Sequence, residues 1–150
     1  MVYHLMLGAA LLDVGRFDAA IRQMRDTLRQ NSDWNANLDL RWSALHVIAR
    51  ALEAQGRFDD AIEPARDARK FIQQQGALGF SLRTCLALAA RDFAAAVAHA
   101  KRATSADRAA ALEALAECDN LDERYAVLTG ALVETPPSFA EVAELRKLLR

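Results

Sequence analysis

The chain has 150 residues, 53% hydrophobic and 26% charged, enough for one domain that buries roughly two thirds of its unfolded surface without a disulfide, metal or lipid. Its formal net charge is −1, with acidic and basic residues interspersed; a nucleic-acid binder would carry a basic patch that displaces counterions, so nucleic acid is set aside as a partner. Only six glycines and three prolines interrupt an alanine-rich chain, which makes helix the expected structure throughout.

The first expected helix lies in MVYHLMLGAALL (1–12), the most apolar stretch. It has no basic residues ahead of it and meets Asp13 too early to span a bilayer, so it reads as a buried helix of a cytoplasmic chain with no membrane partner. GRFDAAI (15–21) follows. Gly15 can adopt the left-handed conformation that ends a helix, and Asp18 suits the positive end of the next one. Phe17 can plug the gap between the two helices, and Ala20 lets them approach closely. NSDWNAN (31–37) is rich in turn formers; Trp34 and Trp42 flank the start of the next helix and are expected to form an aromatic clamp.

GRFDDAI (56–62) repeats the first motif, with Gly56, Phe58, Asp59, Ala61 and Ile62 in the corresponding places. RDFAAAV (91–97) repeats it again through Phe93, Ala96 and Val97, with Arg91 where the glycine stood. One hairpin cannot bury its apolar face alone, so recurring hairpins must stack on one another. Beyond residue 104 the repeat fades while helix signals persist. Ser105 can cap a helix to about Cys118, and Asn120 with Glu123 can cap a helix with the stripe Leu121, Tyr125, Leu128 and Leu132. After Pro136–Pro137, Ser138 with Glu141 can cap a last helix bearing Phe139, Val142, Leu145 and Leu149. About nine helices and no strand are expected.

These motifs resemble the tetratricopeptide repeat, a helix–turn–helix unit of about 34 residues. Gly8, Leu11, Ala20, Met24 and Ser32 match its pattern in the first unit. Leu45, Ile48, Ala49, Leu52, Ala61, Ala65 and Ala68 match in the second, and Phe80, Thr84, Phe93, Ala96, Ala100 and Ala103 in the third. The resemblance implies an all-α superhelix of antiparallel hairpins. Its repeats would cover about 1–34, 42–75 and 77–104, with capping helices over 105–150, all in a single domain. In that family the first helix of each hairpin lines a concave groove, which would receive Leu5, Ala9 and Leu12, then His46, Arg50 and Glu53, then Ser81, Cys85 and Leu88, with Arg83 beside it. Members that grip a C-terminal carboxylate use lysines and asparagines there; Leu5, Ala9, Val47 and Ser81 cannot supply that clamp.

His4, His46 and His99 fall in different helices without a companion nucleophile, and no glycine-rich phosphate loop, HExxH or GxSxG occurs. Neither catalysis, a metal nor a cofactor is expected. Cys85 and Cys118 are isolated and read as small packed residues of a reduced compartment. The resemblance thus points to a protein–protein interaction scaffold holding a peptide or helix in its groove, and a homodimer is also expected. Two other readings stand beside it. ARKFIQQQGALG (68–79) resembles the helical sensor regions of multidomain bacterial transcription activators, of which this chain would be an excised part, and the arginine–alanine bias fits a bacterial genome. The size also resembles small secretion chaperones. The stripe on 138–149 suits a helix that caps the array equally with one lying in its groove.

Overall fold

The computed structural model describes residues 2–30, 38–75, 80–119 and 137–150. Among them are seven α-helices: α1 (Val2–Asp13), α2 (Phe17–Gln30), α3 (Leu38–Ala54), α4 (Phe58–Gln73), α5 (Phe80–His99), α6 (Ser105–Leu115) and α7 (Phe139–Leu149), with a 3-10 turn at Ala116–Cys118 after α6. The described residues contain no strand. The capping box expected at Asn120–Glu123, the stripe after it, Trp34 and Ser32 lie outside the described residues.

The two GRFD motifs build the same turn. Gly15 and Gly56 have φ of +81° and +73°. The amides of Gly15 and Arg16 donate to the carbonyls of Leu12 and Leu11 at 3.1 and 2.9 Å, and those of Gly56 and Arg57 to Glu53 and Leu52 at 2.9 and 2.9 Å. This is the Schellman arrangement, in which a left-handed residue lets two amides fold back onto the last carbonyls of the helix. The motif aspartates do more than face a helix dipole. Asp18 accepts from Gln55 Nε2 at 2.8 Å, and Asp59 accepts from the backbone amides of Lys101 and Arg102 at 3.3 and 2.9 Å. Each aspartate therefore ties its own hairpin to the turn of the next.

That link locates the third turn at 100–104, and it corrects the sequence reading there. A turn at Arg91 was expected, with Phe93 opening a second helix; instead α5 runs unbroken through RDFAAAV. Arg91 has a Cβ and resists the left-handed conformation that ended α1 and α3, while the alanines around it favour helix. The chain turns only after His99, where Thr104 caps α6: Asp107 N donates to Thr104 Oγ1 and Thr104 N to Asp107, both at 3.0 Å. Thr104, rather than Ser105, is the capping residue. Its backbone hydrogen bond, helped by its hydroxyl and by Arg66, holds the Asp107 carboxyl below the usual range. The third hairpin is thus α5–α6, and α4 grips α6 through Arg66–Asp107 at 2.6 Å and the 3-10 turn after it through a two-pronged Arg69–Glu117 pair at 2.8 and 3.1 Å.

Successive helices pack in chain order, and α1, α3 and α5 also touch side by side. Alanine makes this close packing possible: Ala20, Ala44, Ala49, Ala51, Ala61, Ala65, Ala87 and Ala90 are buried in one core with Ile21, Met24, Val47, Ile48, Leu52 and Phe93. Arg66 sits over the Phe93 ring, 5.5 Å from its centre. α7 lies against α5 and α6. Its Val142, Leu145 and Leu149 join the core beside Leu115 and Cys118, each contributing about 2 kcal/mol of apolar burial, and Arg146 holds the Asp119 carboxylate at 2.6 Å. The last helix covers the flank of the α5–α6 hairpin.

Gly8 accommodates Met24: a Cβ on it would stand 2.7 Å from the Met24 sulfur. Gly8→Val is expected to destabilise the fold by about 2 kcal/mol through overpacking, and Met24→Ala in the same chain to recover part of that loss in urea unfolding. Cys118 is buried and donates to the Ala87 carbonyl at 3.5 Å. Burial, then the charges of Glu117 and Asp119, pushes its thiol up to about 12. Iodoacetamide at about pH 8 should leave Cys118 unmodified in the folded protein and alkylate it in urea, as mass spectrometry of the digest would show.

Candidate functional site

Along the α1–α3–α5 layer lie an open cleft and an unexpected set of buried charges. Trp42 and His46 on α3 lie one helical turn apart, and their rings stack at 5.1 Å with planes 11° from parallel. His46 Nδ1 donates to the carboxylate of Asp92 on α5. Asp92 is also held by Arg91 Nη2 at 2.7 Å. Arg91 extends further, to Glu53 on α3 at 3.7 Å and to Glu141 at the start of α7 at 3.6 Å. Arg91, Asp92 and His46 are buried. The continuous α5 explains this: with no turn at residue 91, Arg91 and Asp92 stay in the helix and lie against α3, where burial requires them to be paired.

Glu53 lies at the outer edge of this cluster. Burial, reinforced by the negative charge of Asp92 and to a smaller extent Glu141, and only partly offset by Arg50 and His46, raises its carboxyl from an ordinary 4.5 to about 9. Near neutral pH it carries a proton. Its Oε1 is buried without a hydrogen-bond partner among the described residues. Burial also raises the Glu141 carboxyl, with Arg50 opposing and Asp92 adding to the shift.

Outside Glu53 the surface opens into a cleft of about 430 Å³, lined by Leu12 and Asp13 of α1, Phe17 of α2 and Arg50, Glu53 and Ala54 of α3. Three of the expected groove residues, Leu12, Arg50 and Glu53, meet there. Leu5 is half-buried and packs on the core, while Ala9 is exposed on the same helix. The residues assigned to the groove from α5 do not join them. Leu88 is 1% exposed, in an interior cluster with Trp42, Leu45, Ala68 and Ile72, and Cys85 packs against that cluster half-buried. Arg83 is exposed, and the Ser81 side chain lies outside the described residues. His46 is interior as well, beneath the cleft rather than on its wall. The expected groove register on α5 carried the pattern of the first two units onto a degenerate third one, and Leu88 faces the interior instead.

Sequence reasoning passed over Asp13, Phe17 and Ala54 as cleft residues, and Arg91, Asp92 and Glu141 as a cluster. The one signal for the cluster was a charged pair, Arg91–Asp92, inside the otherwise uncharged run from Thr84 to Ala100. Among the described residues no three His, Cys, Asp or Glu side chains are placed to hold a metal, and no described helix is long and apolar enough to cross a membrane.

The family model of the tetratricopeptide repeat matches residues 5–76. No curated protein and no solved structure matches the chain.

The raised Glu53 carboxyl has a consequence for stability. Between 4.5 and about 9 the folded protein holds a proton on Glu53 that the unfolded chain has released. Stability from this group is therefore full below 4.5 and is lost as pH rises through about 9. Urea unfolding at about pH 6 and about pH 8.5 should show wild type weakening with pH, and Glu53→Gln weakening distinctly less.

Proposed function

The chain carries tetratricopeptide repeats over residues 5–76, and on that premise we propose that it is an interaction scaffold whose α1–α3 cleft receives a peptide or helix of a partner protein. Such repeats generally mediate protein–protein interaction and are typically non-catalytic. The observation that carries the reading is the convergence of Leu12, Arg50 and Glu53 from two first helices onto one open cleft. Leu12, Phe17 and Ala54 offer an apolar seat, and Arg50 offers a guanidinium that suits a carboxylate or a backbone carbonyl of the guest. The protonated Glu53 carboxyl adds a donor, where an ionised one would repel an acidic guest.

The same composition describes the guest. It presents one apolar side chain that fits between Leu12 and Phe17, next to an acidic or carbonyl acceptor. The buried cluster beneath acts as a foundation: His46, Asp92 and Arg91 fix α3 against α5, so that Arg50 and Glu53 hold their places before a guest arrives. Preorganisation of that kind reduces the ordering cost of binding.

An array of overlapping peptides with single apolar anchors beside acidic residues tests this. Peptides retained by the wild-type protein should bind about tenfold more weakly to Arg50→Glu, the loss of one charge-assisted contact. Unchanged retention by Arg50→Glu and by Leu12→Asp would remove the cleft as the binding site.

A further inference from the structure

The cleft has a neighbour. Phe17, which lines it, also lines a second hollow of about 300 Å³, together with Arg16 ahead of α2, Asp18 and Arg22 on α2, and Gln55 just beyond α3. The two hollows adjoin at Phe17, and the consecutive residues Ala54 and Gln55 line one each.

The second hollow carries an excess of positive charge. Arg16 and Arg22 are exposed, and neither has an ion-pair partner among the described residues. Asp18 is the one acidic side chain lining it, and its carboxylate already accepts from Gln55 at 2.8 Å. Two arginines against one aspartate leave a net positive charge facing the opening.

The second glycine turn demonstrates that the fold does not require this arrangement. Aligning Gly15 with Gly56 puts Asp60 in the place of Ala19 and Glu63 in the place of Arg22. Arg57, the counterpart of Arg16, is held by Asp60 at 3.1 Å, and Phe58 packs against the His99 ring at 5.0 Å. Two turns of the same backbone conformation thus differ in charge. The second satisfies its arginine internally, whereas the first leaves two arginines beside the wall of the cleft.

Starting from the reading that a peptide binds in the cleft, we propose that the guest continues over Phe17 into this second hollow. The partner is then a peptide whose apolar anchor is flanked by a carboxylate on each side, one held by Arg50 and the other by Arg16 and Arg22. Arginine suits this task because its planar fork can meet both oxygens of a carboxylate. A carboxylate fits the hollow better than a phosphate does, since Asp18 repels a dianion more strongly than a monoanion. Exposed ion pairs contribute modestly, so the gain from the second carboxylate is about fivefold in affinity.

The test is an immobilised peptide library probed with the full chain. Leucine is fixed at the centre of each peptide, and aspartate, asparagine or phosphoserine is placed at the positions on either side. Wild type should retain aspartate over asparagine on both sides, by about fivefold on each. The double variant Arg16→Gln/Arg22→Gln should lose that preference on one side and keep it on the other, and Arg50→Gln should do the reverse. Arg16 and Arg22 are at exposed positions, so the double variant should keep the wild-type circular dichroism spectrum. A wild-type preference confined to one side overturns the second subsite and leaves the cleft standing. So does a preference that persists on both sides in the double variant, or that both variants lose on the same side. Phosphoserine retained above aspartate overturns the carboxylate assignment. Retention of no peptide by wild type removes the cleft as a binding site, and this inference with it.

Discussion

Each hairpin of this fold leaves one apolar face that only another helix can cover, and that constraint organises the rest of the molecule. α2 covers α3, α4 covers α5, and α7 covers the flank of α5 and α6. The faces fit because so many of their contact residues are alanine, which lets helix axes approach at the small separations where side chains interlock. The aspartates of the two GRFD motifs add direction to the stacking. By accepting hydrogen bonds from the following turn, Asp18 and Asp59 set where the next hairpin must bend.

The side-by-side row of α1, α3 and α5 has a different character. Between α3 and α5 it holds His46, Asp92, Arg91 and Glu53 rather than a purely apolar seam. Buried charge is tolerable only when each group finds a partner or changes its protonation state. Both solutions occur here: Asp92 is flanked by His46 and Arg91, while Glu53, more distant from Arg91, retains its proton. The arrangement adds little net stability compared with an apolar seam, but it penalises any sliding of α5 along α3, because a shift of one turn would strand the charges. A fixed register is useful to a surface that has to meet another molecule.

The cleft lies beside the first glycine turn, where Leu12 and Asp13 of α1, Phe17 of α2 and Arg50, Glu53 and Ala54 of α3 come together.

Much of the fold was legible in the residues. The glycine turns, the alanine contacts and the Val142–Leu145–Leu149 stripe on α7, from which the exposed Phe139 drops out, are local features governed by backbone conformation and helical periodicity, and the chain carries them openly. The repeat also made the first helices the natural place to look for a site, which brought Leu12, Arg50 and Glu53 into view. What the residues alone could not decide was the fate of RDFAAAV. Its likeness to the two GRFD motifs suggested a turn, while its lack of glycine favoured continued helix, and that contest is settled by whether Arg91 and Asp92 find partners when buried. Those partners, His46 and Glu53, are some 40 residues away in sequence, and no local pattern reports a contact across that distance. Local chemistry therefore determined the helices and the glycine turns, whereas packing determined the length of α5, the inward register of Leu88 and His46, and which of the expected residues reach the cleft.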